Sequence, residues 1–261
     1  MGDDMKLMKG RIRFDASAGR VRYPLLGTTL DLGRTKGEVL ISPQWVVVDK
    51  MMGTIWDGTF TGRILAQIDD GDALNGSFVL QDMNLTSIGK SYDKKMEKAT
   101  VHGAIEFSSK GGNMNSIQAK GEAALVHGDL VEIPLFGFLG EALSNYIPGL
   151  GHLINYKISR ADCDFSIEKG YVRTSNFAAQ GSNMSLEGGG WIRLSDLQVN
   201  SDFKLGLRGL PGFITSPVFL LAGGLFQVRG TGPLSNVSWN FAPFSGGKAP
   251  VPPAAAPARK R

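Results

Sequence analysis

Polar and apolar residues alternate along most of this chain. From Leu197 the odd positions read Leu197, Val199, Ser201, Phe203, Leu205 and Leu207, and the even positions read Gln198, Asn200, Asp202, Lys204, Gly206 and Arg208. Successive side chains of a strand point to opposite faces of its sheet, so this spacing predicts a strand with one apolar face. The same period recurs in Val101, Gly103, Ile105 and Phe107, in Ile117, Ala119, Gly121, Ala123 and Leu125, and in Cys163, Phe165 and Ile167. Near the start, Ile12 and Phe14 alternate with Arg11 and Arg13, and Val21 and Tyr23 with Arg20 and Arg22.

Further strands are predicted over 45–48, 53–60, 62–69 and 76–82, then over 100–108, 116–126 and 129–132. The series closes with 156–168, 171–179, 182–187, 190–195, 197–208, 225–230 and 236–241. Two stretches break the pattern. Lys94, Lys95, Met96, Glu97 and Lys98 favour helix and predict a short one over 87–98. In 134–147, Leu135, Phe138, Leu139, Ala142, Leu143 and Tyr146 recur at the spacing of one helical face. Pro134 suits the first turn of that helix, and Pro148-Gly149 stops it. Its polar face lacks the Lys and Arg of a membrane-surface helix, so it is expected to pack on the end of the sheet. The apolar segment 211–223 is interrupted by Pro211 and Pro217 and reads as a loop or short helix.

The fold class that follows from the alternation is mainly β: a long antiparallel meander sheet with one or two short helices. One domain is expected over residues 1–244. A Pro/Ala/basic tail, 245–261, is too poor in large apolar residues to order itself. An apolar face must either close on itself or be kept for an apolar ligand, since monomers rarely leave large apolar patches bare.

Composition narrows the function. The chain has 261 residues, 42% of them apolar, enough for a sizeable core. Its 35 glycines are roughly twice the usual share of about 7%, and short turns that need positive φ are the expected use for most of them. The net charge of +4 is small and partly sits in Arg259, Lys260 and Arg261. No basic stripe interleaved with aromatics appears, which argues against nucleic acid as a partner. The N-terminal residues lack the layout of a signal peptide, and no stretch approaches the ~18 apolar residues of a membrane-spanning helix.

Candidate chemistry is sparse. The only cysteine, Cys163, falls on an apolar strand side beside Phe165 and Ile167 and reads as a small hydrophobe. His102, His127 and His152 are isolated, with no second ligand at metal spacing. Gly188-Gly189-Gly190 is followed by Trp191 and a strand rather than by Lys-Ser/Thr and a helix, so a turn or bulge is expected there instead of a phosphate loop. Asp162 and Asp164 alternate onto a wet face. Nothing in the sequence points to catalysis, to a cofactor or to a metal.

One ordered set of segments is more specific. Ala119-Lys120-Gly121-Glu122-Ala123 leads to Gly128-Asp129-Leu130 and then to Ile133-Pro134-Leu135 opening a helix. Asp162-Cys163-Asp164-Phe165-Ser166-Ile167-Glu168-Lys169-Gly170 follows, and Val228-Arg229-Gly230-Thr231-Gly232-Pro233 comes near the end. Over about residues 80–241 this order resembles the C-terminal region of AsmA-like proteins, relatives of the TamB and YhdP envelope proteins. The chain departs from that pattern at Ala119, where the family has glycine, and at Asn236, near where proline is common. It also lacks the family's N-terminal membrane anchor, so it reads as a fragment, a split gene product or a separately expressed partner.

The resemblance implies a curled β-sheet whose greasy groove carries phospholipid acyl chains across the periplasm in outer-membrane biogenesis. Inner- or outer-membrane proteins are the further partners it implies. The leading expectation is therefore a non-enzymatic envelope protein. Its groove-lining candidates are Ile105, Phe107, Leu125, Phe165, Ile167, Val199, Phe203, Leu205 and Leu207, chosen because they lie on apolar strand faces. Alternation alone leaves a second reading open: a closed β-sandwich or solenoid, acting as a structural or interaction module, in which the same residues pack against each other.

Overall fold

The computed structural model describes residues 10–23, 28–68, 73–91, 96, 98–110, 116–126, 131–132, 157–182, 184–207, 225–234 and 236–243. The alternating segments form strands β1 (Gly10–Ala16), β2 (Gly19–Tyr23), β3 (Thr28–Ile41), β4 (Trp45–Ile55), β5 (Gly58–Gln67) and β6 (Leu74–Asn84). Helix α1 (Leu85–Ser91) follows, then β7 (Thr100–Ser109), β8 (Gln118–Val126), β9 (Val131–Glu132) and β10 (Lys157–Glu168). The last strands are β11 (Tyr171–Gly181), β12 (Met184–Arg193), β13 (Gln198–Leu207), β14 (Leu225–Pro233) and β15 (Ser238–Pro243). The expected helix at 134–147, the segment 211–223 and the tail 245–261 lie outside the described residues.

All fifteen strands belong to one antiparallel sheet in which neighbours in sequence are neighbours in space. β1 and β2 lie end to end along β3 in one register, from Gly10 opposite Ile41 to Tyr23 opposite Thr28. β9 pairs β10 beyond the end of β8. Among the described residues no pairing joins β15 back to β1, so the sheet is a meander with two free edges and not a barrel.

Directly opposed residues of antiparallel strands share a face, so the registers carry a face from strand to strand. Ile12 lies opposite Val39, Val39 opposite Val48, Val48 opposite Ile64, Ile64 opposite Gly76, and Gly76 opposite Phe107. The series continues through Ala119, Ile167, Val172, Ile192 and Val199. One apolar face thus runs from β1 to β13. The opposite face carries cross-strand ion pairs such as Arg63–Asp49 at 3.5 Å and Arg229–Asp202 at 3.1 Å. Leu40, Val47 and Leu65 are an apolar exception there, and Val47 is buried.

Bulges keep the faces in phase. Val48 and Met51 are three residues apart yet share the apolar face, because a register shift falls between them and Lys50 takes φ 51°. Leu80 and Met83 do the same around Asp82, φ 55°, and Thr174 and Phe177 do so on β11. The strand predicted at 45–48 accordingly runs on to Ile55 as β4, and the one predicted at 53–60 is the end of β4, a turn at Trp56 and Asp57 with φ of 49° and 61°, and the start of β5. The expected turn or bulge at Gly188-Gly189-Gly190 is instead the middle of β12, and the bulge lies opposite it on β11.

α1 starts earlier than the expected 87–98. Asn84 Oδ1 accepts the Thr86 backbone N–H at 3.0 Å, so Asn84 caps the helix. Ile88 packs against the buried cluster of Ile55, Phe60 and Met83 on the apolar face, which Leu32, Met51 and Val101 also border. α1 itself comes up against β3, three strands from β6 and ~14 Å away in a flat sheet, so the sheet curls around the helix. The β4–β5 turn clamps α1 from outside, with the Trp56 indole N–H donating to Ser91 Oγ at 3.0 Å and the Ser87 hydroxyl donating to Asp57.

Candidate functional site

The site is the apolar face, built by a repeated local device. On that face each of a series of aromatic rings stands directly opposite a glycine. The pairs are Phe14 with Gly37, Phe60 with Gly53, Phe78 with Gly62, and Phe107 with Gly76. Phe165 with Gly121, Phe203 with Gly188 and Trp239 with Gly230 continue the series. The rings lie where a side chain would otherwise be: a Cβ at Gly62 would stand 2.4 Å from Phe78, and one at Gly76 or Gly121 would stand 2.5 Å from Phe107 or Phe165. A ring folded onto bare backbone covers it with a thin, smooth apolar layer.

The described glycines depart from the expected use in turns. Among the described residues only Gly170 and Gly232 have positive φ, while Lys50, Trp56, Asp57, Asp82, Lys169 and Leu197 take that conformation without being glycine. Many of the other strand glycines, among them Gly53, Gly62, Gly76, Gly121, Gly188, Gly189, Gly190 and Gly230, are needed for close approach and not for left-handed backbone.

The rings form a continuous floor. Gly62, Phe78, Ile105, Gly121 and Phe165 oppose one another in series across β5, β6, β7, β8 and β10. Phe60 and Phe107 stand one step to either side of that line. Phe78 and Phe107 are parallel with centroids 6.1 Å apart, and Phe60 leans on Phe78 at 6.4 Å. Further along, Phe203 meets Phe177 edge-on at 5.5 Å and Trp239 at 6.3 Å.

Every groove-lining candidate named from the sequence lies on this one face: Ile105, Phe107, Leu125, Phe165 and Ile167 in the middle of the sheet, and Val199, Phe203, Leu205 and Leu207 on β13. Burial divides them. The first five are half-buried, whereas Val199, Phe203, Leu205 and Leu207 are buried, Leu205 to 1% exposure. Met184, Leu186, Phe226 and Val228 around them are buried too. The accessible part of the face therefore lies over β1 to β10, away from α1. It includes Ile12, Val39, Val48, Ile64 and Phe78, none of them among the groove-lining candidates named from the sequence, and Ile12 is 54% exposed. The bulges at Lys50 and Asp82 hid this continuity by shifting the phase of the alternation.

No other chemistry gathers on the face. Among the described residues no group of three or more His, Cys, Asp or Glu could hold a metal ion, and no helix is long and apolar enough to cross a membrane. His102 sits on the polar face, where its Nδ1 accepts the Asp82 backbone N–H at 3.3 Å. Asp162 and Asp164 are exposed on that face, as expected, paired with Arg160 and Asn176.

Cys163 puts a thiol on the apolar face. Burial pushes its thiol above the ordinary value, and the Asp164 and Asp162 carboxylates add to the shift. The thiolate fraction at pH 8 is thereby reduced, so maleimide should label Cys163 more slowly than it labels free glutathione. A bound apolar ligand should slow labelling further. Mass spectrometry of a labelling time course measures both, and labelling as fast as glutathione's would contradict this placement.

Comparison with known families, with curated proteins and with solved structures finds no match for this chain.

Proposed function

We propose that this chain is a non-enzymatic, groove-forming β protein of the bacterial envelope whose apolar sheet face shields or conducts lipid acyl chains. The observation that carries the reading is the half-exposed, ring-floored face over β1 to β10, apolar across every strand it crosses. Covering such a surface gains roughly 25 cal/mol per Å², and a flexible acyl chain can lie along a smooth floor without a shaped pocket. The resemblance to AsmA-like proteins supplies the envelope, the periplasm and the phospholipid as parts of the same proposal.

The two ends of the strands differ in a way that supports it. One end has the strand ends joined by 42–44, 68–73, 110–117, 169–170, 194–197 and 234–237, all short and most of them polar, with apolar exceptions such as Leu194, Leu197, Leu234 and Val237. The strand ends that meet residues 24–27, 133–156 and 208–224 all lie at the other end, with α1 and Trp56, and those three stretches are rich in Leu, Ile and Phe. The buried face of β12 to β14 favours a different role for that part, a packed core that holds the sheet's shape.

Purified chain, extracted with organic solvent and analysed by lipid mass spectrometry, should yield phospholipid in stoichiometric amount. Delipidated chain should take up a fluorescent fatty acid, and phospholipid should displace it. Protein that carries no lipid and binds no acyl probe would end the lipid reading and leave the interaction-module reading standing.

A further inference from the structure

We propose that β1 is a self-pairing edge: two copies of this chain join antiparallel along Gly10–Ala16, centred on Arg13, so that Arg11 of each copy faces Asp15 of the other.

β1 occupies one end of the sheet, and among the described residues only one of its sides is paired. Its seven residues match β3 without a register shift, and they contain neither proline nor bulge. A strand this regular presents an unpaired row of N–H and C=O groups, the usual template for another strand. The opposite edge is less suited: β15 has six residues and ends in Pro243, which has no N–H to offer.

The side chains of β1 select a second copy of β1 as the occupant. In an antiparallel self-pairing centred on Arg13, residue faces are kept. Gly10 meets Ala16, Ile12 meets Phe14, and Arg11 meets Asp15, each contact occurring twice. Ile12 and Phe14 lie on the apolar face, where Ile12 is 54% exposed and Phe14 half-buried. Arg11 and Asp15 lie on the polar face. Arg11 has no carboxylate within ion-pair distance among the described residues. Asp15 is bound by Arg34 at 2.7 Å yet stays half-exposed, and the Arg34 hydrogen bond holds its carboxyl below the usual carboxylate range, so it is ionised and reachable. The one like-charge meeting, Arg13 against Arg13, is relieved because each Arg13 already binds Glu38 at 3.1 Å.

A shift of the centre to Ile12 would set Arg11 against Arg13. A shift to Phe14 would pair Arg13 with Asp15 but draw Arg13 from Glu38 and set Ile12 against Ala16. Of the three, only the Arg13-centred register pairs all seven residues of β1, and it sets the two large apolar side chains, Ile12 and Phe14, against each other. It also continues the apolar face across the seam from one copy to the next.

Sedimentation velocity of the full chain across a concentration series, in low salt, tests the pairing. The wild type should form a dimer. Arg11→Asp and Asp15→Arg each place two like-charge pairs at the seam and should weaken the dimer by about tenfold or more. The double variant carrying both changes should restore it, and Arg13→Gln should leave it nearly intact. A monomeric wild type would overturn the proposal, as would a dimer indifferent to Arg11→Asp or one that the double variant fails to restore. Acyl-chain binding is read separately, so a monomer that still binds lipid would end this inference and not the functional one.

Discussion

Leu205→Asp is expected to abolish folding, while Phe165→Asp is expected to leave the protein folded and strip it of acyl-chain binding. Both positions lie on the same sheet face, and the difference between them is burial. Leu205 is 1% exposed, between Leu186 and Phe226, which are themselves buried. Removing its side chain forfeits about 2–3 kcal/mol of transfer and packing, and the residues opposite it, Leu186 and Phe226, offer the replacing carboxylate no cation. Together these exceed about 5 kcal/mol, comparable to the whole stability of a typical domain. Phe165 is half-buried, so an aspartate there keeps access to water and costs only about 1–2 kcal/mol, mostly the lost cover over Gly121. An acyl chain crossing that point, however, must strip water from a charge. Thermal unfolding and fluorescent fatty-acid titration, run side by side, measure the split. A folded Leu205→Asp protein would mean that β13 faces an open groove. A folded Phe165→Asp protein that binds the probe as tightly as wild type would remove this part of the face from the lipid path.

The sequence made one face of this sheet legible where alternation is unbroken. β10 and β13 show it best: Cys163, Phe165 and Ile167 on one, Val199, Phe203, Leu205 and Leu207 on the other, all found on the apolar side. It failed wherever a bulge shifts the phase by one residue. Val48 and Met51 read as belonging to opposite faces, so β4 seemed to end at 48. The turn at Trp56 and Asp57 was hidden because neither residue is glycine or asparagine, the usual signals for two positive φ values in a hairpin. Glycine misled for a related reason. Turns and aromatic-covered strand positions both call for glycine, and one chain cannot tell which until the cross-strand partner is known. The division into accessible and buried stretches was not legible at all, since Ile105 and Leu205 have the same local pattern and differ only in what lies above them.

The triple glycine of β12 gives the sharpest case of a residue chosen by its neighbours. Gly189→Ala should destabilise the protein by several kcal/mol, while Gly19→Ala should be neutral or stabilise it slightly. A Cβ at Gly189 would stand 2.3 Å from the Thr174 carbonyl oxygen and 2.7 Å from the Ser175 Cα, both backbone atoms of the bulged strand β11. Backbone cannot swing aside as a side chain can, so β11 and β12 would have to separate and give up ladder hydrogen bonds, a cost of about 3 kcal/mol or more. Gly190 faces the same obstacle from β13, with the Asn200 oxygen at 2.4 Å. At Gly19 the nearest atom to a new Cβ is Leu32 Cβ at 3.7 Å, an ordinary contact. There the substitution mainly removes freedom from the unfolded chain, worth about 0.4–1 kcal/mol in favour of the fold. Urea unfolding midpoints of the two variants decide the matter. Equal midpoints would mean that β11 and β12 are not held as closely as the bulge opposite Gly189 requires. A loss at Gly189 alone would show that this glycine exists to admit the bulge, and with it the phase shift that brings Phe177 onto the apolar face beside Phe203.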